Sequence, residues 1–122
     1  MLMLISAIGY VQEAQIGANE LISQNEAEAL FLEANKAYEQ AEYDTAIIIY
    51  DRIVASGLIS WELYYNKANS FYKLNDIAYA IINYERALML SPNNKDIKFN
   101  LRLANTKTVD KVEAIPRLFI SS

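Results

Sequence analysis

Set against itself at an offset of 34 residues, the middle of this chain repeats. Ala34-Asn35-Lys36-Ala37-Tyr38 falls over Ala68-Asn69-Ser70-Phe71-Tyr72, and Ala46 to Arg52 falls over Ala80 to Arg86, with no gap between the segments. Blocks 27–60 and 61–94 share Glu28/Glu62, Ala34/Ala68, Asn35/Asn69, Tyr38/Tyr72, Ala46/Ala80, Tyr50/Tyr84 and Arg52/Arg86. A fixed period of this length means that each block is one supersecondary unit, which buries its apolar face only by stacking on its neighbour. The chain has three Gly and two Pro in 122 residues, too few for a strand-and-turn architecture. Each block is therefore read as two long helices.

Helix boundaries follow from local chemistry. Ser23-Gln24-Asn25-Glu26 has the spacing of a capping box. Gly57 is placed to close a second helix and Ser60 to cap a third. Asn75-Asp76 marks a turn, and Pro92-Asn93-Asn94 separates the fourth helix from a fifth. The pattern predicts helices over 24–40, 43–56, 61–74, 77–90 and 95–107. Small residues at Ala34, Ala46, Ala68 and Ala80 allow close helix approach, and Leu30, Tyr50, Tyr64, Phe71, Tyr84 and Leu88 fill the space around them. The fifth helix keeps the register of the others through Ile97, Leu101 and Ala104, and reads as a cap on the last hairpin.

A 34-residue, two-helix period resembles the tetratricopeptide repeat family. The second block matches its pattern at Ala68, Phe71, Ala80, Tyr84, Ala87 and Pro92; the first matches at Ala34, Ala46 and Tyr50. Ala37, Ile53 and Leu58 stand where that family places an aromatic, Ala and Pro. The resemblance covers residues 24–107 and implies an all-α solenoid of two helix-turn-helix repeats plus a C-terminal capping helix. The chain then divides into an apolar N-terminal segment (1–22), a repeat domain (23–107) and an extended tail (108–122). Glu33 and Lys67 replace the family's usual Leu in successive repeats and are expected to form an ion pair. A narrower similarity lies in Leu63-Tyr64-Tyr65-Asn66, Asn100-Leu101 and Val109-Asp110-Lys111-Val112-Glu113-Ala114-Ile115-Pro116. These resemble the repeat region of Bat-type aerotolerance proteins of Bacteroidetes, which implies a cell-envelope setting and a membrane-associated complex.

The N-terminus has two readings. Met1 to Val11 is nearly all apolar, about the length of a signal-peptide core and too short to span a bilayer. It carries no preceding Lys or Arg, and its small-residue cleavage signal is poor. It is either a signal truncated at its basic end or a helix that packs on the rest of the chain, over the first hairpin, in the groove or across to a second molecule.

Composition narrows the function. With no Cys and no His, the chain lacks thiolate and imidazole nucleophiles, His bases and Cys/His zinc sites. Carboxylate pairs such as Glu42 with Asp44 have no third group to orient them. No catalytic residue, metal or cofactor is expected. A net charge of −4 opposes a nucleic-acid partner, which needs clustered Lys and Arg. The charge is also uneven: no basic residue precedes Lys36, whereas Lys95, Lys98, Arg102, Lys107, Lys111 and Arg117 crowd the end.

The tetratricopeptide resemblance implies a concave groove lined by the first helix of each hairpin. Its repeat positions are occupied by Glu28, Phe31, Leu32, Asn35 and Tyr38, by Glu62, Tyr65, Asn66, Asn69 and Tyr72, and by Asp96, Phe99 and Asn100. Asparagine offers both a donor and an acceptor, so a ladder of them can pair with the backbone of an extended peptide. The candidate groove set is Phe31, Asn35, Tyr38, Tyr65, Asn66, Asn69, Tyr72, Phe99 and Asn100. The competing reading is that these asparagines bond only to neighbouring helices. Relatives that clamp a C-terminal carboxylate use Lys and Arg at such positions; Phe31, Asp96 and Asn100 stand there instead, so no clamp is expected. The resulting expectation is a non-catalytic scaffold for a protein or peptide partner. The alternative is a self-assembly module that forms a homo-oligomer through the N-terminal segment or the solenoid ends.

Overall fold

A computed structural model describes residues 22–113, with side chains through Val109. The apolar segment 1–21 and residues 114–122, on which the signal, packing-helix and tail-motif readings fall, lie outside the described residues. Among the described residues there are five helices: α1 (Gln24–Glu39), α2 (Tyr43–Ala55), α3 (Trp61–Lys73), α4 (Ile77–Leu90) and α5 (Lys95–Glu113). The first four end within one residue of the boundaries read from sequence. The fifth does not. It continues six residues past 107, so residues 108–113, expected as extended tail, are helical. Thr106 and Thr108 return their hydroxyls to the carbonyls four residues back, Arg102 and Ala104, which seats both inside the helix. No described helix is long and apolar enough to cross a membrane.

The starts and stops have visible causes. Ser23 Oγ accepts from the Glu26 amide at 3.1 Å while Glu26 Oε2 accepts from the Ser23 amide at 2.9 Å, closing the capping box. Ser60 Oγ caps α3 through the Leu63 amide, and Asn94 Oδ1 takes the Asp96 and Ile97 amides at the head of α5. The α2 and α4 starts carry no such side-chain bond. They follow instead from how the preceding helix ends. Ala41 and Asn75, one period apart, have φ of 61° and 65°. Around each, the chain makes paired bonds, Ala41 N–H to Tyr38 O with Glu42 N–H to Ala37 O, and Asn75 N–H to Tyr72 O with Asp76 N–H to Phe71 O. This is the Schellman arrangement. Asn tolerates the left-handed conformation, whereas Ala pays about 1–2 kcal/mol for it.

Each helix packs on the next in chain order. The core divides into two repeating clusters. The first joins Ala34, Ala46, Tyr50, Ile53 and Leu63, and the second joins Ala68, Ala80, Tyr84, Ala87 and Ile97 at the equivalent positions. Ala34, Ala46, Ala68 and Ala80 are all fully buried, as expected for residues that set helix separation. Ala80→Leu should accordingly overpack the α3–α4 crossing and cost about 1–3 kcal/mol. An unchanged melting temperature would show that this crossing has room for three more carbons.

The expected Glu33–Lys67 pair does not form. Lys67 pairs with Asp51 of α2, and Glu33 is exposed. On α3 this repeat position faces α2 of the preceding hairpin rather than α1. Lys67 Nζ also lies 6.0 Å from the centroid of the Phe71 ring. One core position is imperfect. Asn83 stands buried where the first repeat has Ile49, and its Oδ1 has no partner among the described residues.

Candidate functional site

The asparagine ladder is real, and it is half spent. Asn35 Oδ1 accepts from the Tyr50 hydroxyl and from Asn66 Nδ2, the latter at 3.2 Å. One period later, Asn69 Oδ1 accepts from the Tyr84 hydroxyl and from Asn100 Nδ2, again at 3.2 Å. Three residues shifted by 34 thus reproduce the same bonded triad, each tying two first helices and the second helix between them. The second triad carries one more link, from Asn100 Nδ2 to the Tyr65 hydroxyl at 2.8 Å.

An amide oxygen has two lone pairs, so Asn35 and Asn69 have no acceptor capacity left. The triads leave unspent the Nδ2 groups of Asn35 and Asn69 and the Oδ1 atoms of Asn66 and Asn100. Donors and acceptors therefore alternate along the face. Each triad also lines a hollow. Asn35, Tyr50 and Asn66, with Glu39, line one of about 310 Å³; Asn69, Tyr84 and Asn100, with Tyr72, Lys73 and Leu103, line one of about 210 Å³. Tyr38 lines both, and the two hollows together are here called the track.

The sequence-derived set separates on this geometry. Asn35, Tyr38, Asn66, Asn69, Tyr72 and Asn100 come together on the track. Tyr38 is braced edge-on by Tyr43 at 5.3 Å, and Tyr72 has Lys107 Nζ over its ring at 4.7 Å. Phe31 and Tyr65 instead pack against the buried tyrosines, at 6.1 Å from Tyr50 and 6.0 Å from Tyr84. Phe31 lines a different hollow, at the far end of α1. Phe99 has no second helix to cover it among the described residues and is 53% exposed, with Arg102 beside its ring. Tyr50 and Tyr84 were legible as core residues, but their hydroxyl role was not. Lys73, Glu39 and Leu103 had no distinguishing sequence signal.

Burial holds the Tyr50 and Tyr84 phenols well above their usual range, with the neighbouring tyrosines adding to the effect. Burial also raises Tyr38, helped by Tyr43 and Tyr65. The folded state thus holds these protons more firmly than the unfolded chain does. Their contribution is complete below the ordinary tyrosine value of about 10, and above it stability should fall by about 1.4 kcal/mol per pH unit for each buried phenol. Denaturant midpoints measured on either side of that value test this. Tyr84→Phe should flatten the alkaline slope, and an equal slope in that variant would contradict the assignment.

Residues 61–94 match the family model described as tetratricopeptide repeat. Those residues are a tetratricopeptide repeat. The match begins at the first residue of α3, runs through α4 and closes on the turn before α5. Block 27–60 repeats its bonds and its core, and the described residues form an all-α solenoid of the tetratricopeptide type. No curated protein matches the chain. Nothing in these comparisons bears on the Bat-type likeness. Tetratricopeptide repeats mediate protein–protein interaction and present concave surfaces to their partners.

Proposed function

We propose that this chain is a non-catalytic scaffold whose track binds an extended segment of a partner protein. The observation that carries this reading is the alternation of unspent amide donors and acceptors above the two triads. An extended backbone presents N–H and C=O groups in the same alternation, so pairing of this kind is indifferent to the partner's sequence. Tyr38, Tyr72 and Leu103 supply the apolar walls. Because Asn69 also satisfies Tyr84, substituting the asparagines would disturb the fold as well as the track. The cleaner test uses Tyr38→Ala and Leu103→Asp, which leave both triads intact. Each should weaken binding of a segment captured from the native envelope fraction by about tenfold or more. Unchanged affinity in both would move recognition off this face.

The likeness to Bat-type proteins supports an envelope partner and a membrane-associated complex. A self-assembly role is the second reading, favoured by Met89 at 80% and Ile48 at 68% exposure on the second helices of the hairpins. Sedimentation across a concentration series separates the two. A stable monomer supports the track, and a concentration-dependent dimer supports self-assembly.

A further inference from the structure

The far end of α1 is built differently from the track. Phe31, Leu32, Ile53, Leu58, Ile59 and Leu63 line a hollow of about 680 Å³ between α1, the α2–α3 connection and the start of α3. Leu32 is 68% exposed and Ile59 59%, far more than core residues would be. A volume of this size suits a group of several apolar side chains. The charged side chains on its lining are Glu28 and Glu62, the same position in successive repeats. Glu62 stands in the first turn of α3, where the peptide dipoles steady a carboxylate, and Glu28 lies one turn inside α1. Neither takes part in a salt bridge among the described residues, since Lys67 engages Asp51.

An apolar hollow with two unpaired carboxylates selects its occupant by charge. A wholly apolar segment would strip water from both carboxylates without replacing it, and an acidic one would meet like charge. A segment with apolar side chains and a cation beside them meets neither penalty. Residues 1–21 fit poorly on this ground, because they contain Glu13 and Glu20 and no Lys or Arg.

We propose that this hollow is a second docking surface, taking a partner protein's segment that places apolar side chains between Leu32 and Ile59 and a Lys or Arg against Glu28 and Glu62. No triad residue lines it, although Glu28, Phe31, Leu32 and Glu62 stand on the same row of groove positions as the asparagines, so it adjoins the track without sharing its polar groups.

Two acetylated ten-residue peptides test this on the full chain. Both carry leucine at alternate positions, with lysine between them in one and glutamate in the other. Fluorescence anisotropy should show the lysine peptide binding at least about tenfold tighter, with the advantage shrinking as salt is raised. Its amide perturbations should centre on Leu32, Ile59 and Leu63. Leu32→Asp and Ile59→Asp, both at exposed positions, should each lose that binding with the far-ultraviolet spectrum unchanged. Glu28→Lys with Glu62→Lys should reverse the preference. Equal affinity for the two peptides, an unreversed preference, or perturbations centred on Tyr38 and Leu103 would overturn the proposal. So would failure of either peptide to bind together with contacts from residues 1–21 to the Leu32 and Ile59 methyls. The Tyr38 and Leu103 variants should leave lysine-peptide binding intact, so the track and the hollow fail independently.

Discussion

Tyr84→Ala is expected to cost about 3–5 kcal/mol, the range for emptying a fully buried aromatic site. Tyr84 is 1% exposed and stands between α3, α4 and α5, in contact with Tyr65 and bonded to Asn69. Its loss removes a ring from the second cluster and leaves the Asn69 oxygen short of one donor. A domain of this size loses roughly 4–8 °C of melting temperature per kcal/mol, so the midpoint should fall by at least about 12 °C. Thermal melting by circular dichroism measures this directly. Tyr84→Phe, which keeps the ring and removes only the hydroxyl, should cost about 1 kcal/mol. If the two variants melted together, the hydroxyl rather than the ring would be the main contribution, and the packing account would be wrong.

Ile97→Ala should cost about 2–5 kcal/mol, and it asks whether α5 belongs to the same cooperative unit as the hairpins. Ile97 is fully buried against Ala80, Tyr84 and Ala87, and Asn100 one turn later completes the second triad. Destabilising α5 should therefore lower the protection of α3 and α4 amides from hydrogen exchange by a similar amount. Exchange that rises in α5 alone would make the helix an appendage rather than a cap.

The fold was legible because its determinants are periodic. Alanines at close crossings and tyrosines beside them recur in register, Ser60 and Asn94 cap successive first helices one period apart, and Ser23 marks the first start, so few alternatives satisfy them all. The misses come from terms that have no period. The stop at residue 107 was placed where the next helix of the repeat would begin, and with neither a glycine nor a proline there the backbone simply continues. Lys67 was assigned to the wrong neighbour because sequence spacing gives the row in which a residue stands, but not which way its position points.

The site was partly legible for a related reason. Donor and acceptor residues at Asn35, Asn66, Asn69 and Asn100 could be found by period alone. That one acceptor site of Asn35 and one of Asn69 go to Tyr50 and Tyr84 depends on hydroxyls 15 residues away on the following helix, a relation no local pattern announces. The bonds to neighbouring helices are present, and they leave one amide nitrogen on Asn35 and one on Asn69 for the proposed partner.

The triad has a consequence for how such a chain can change length. Leu32 stands where Asn66 and Asn100 stand in the later repeats, and Leu103 stands where Asn35 and Asn69 stand in the earlier ones. The ladder is closed at both ends by residues that cannot extend it. Its interior is open to copying. A second copy of block 61–94 spliced after Asn94 would offer its Asn66 to the triad before it and receive Asn100 from α5 to complete its own. In-frame duplication therefore needs no new interface within the array, whereas fusion of a repeat to either outer edge would require a leucine to be exchanged first.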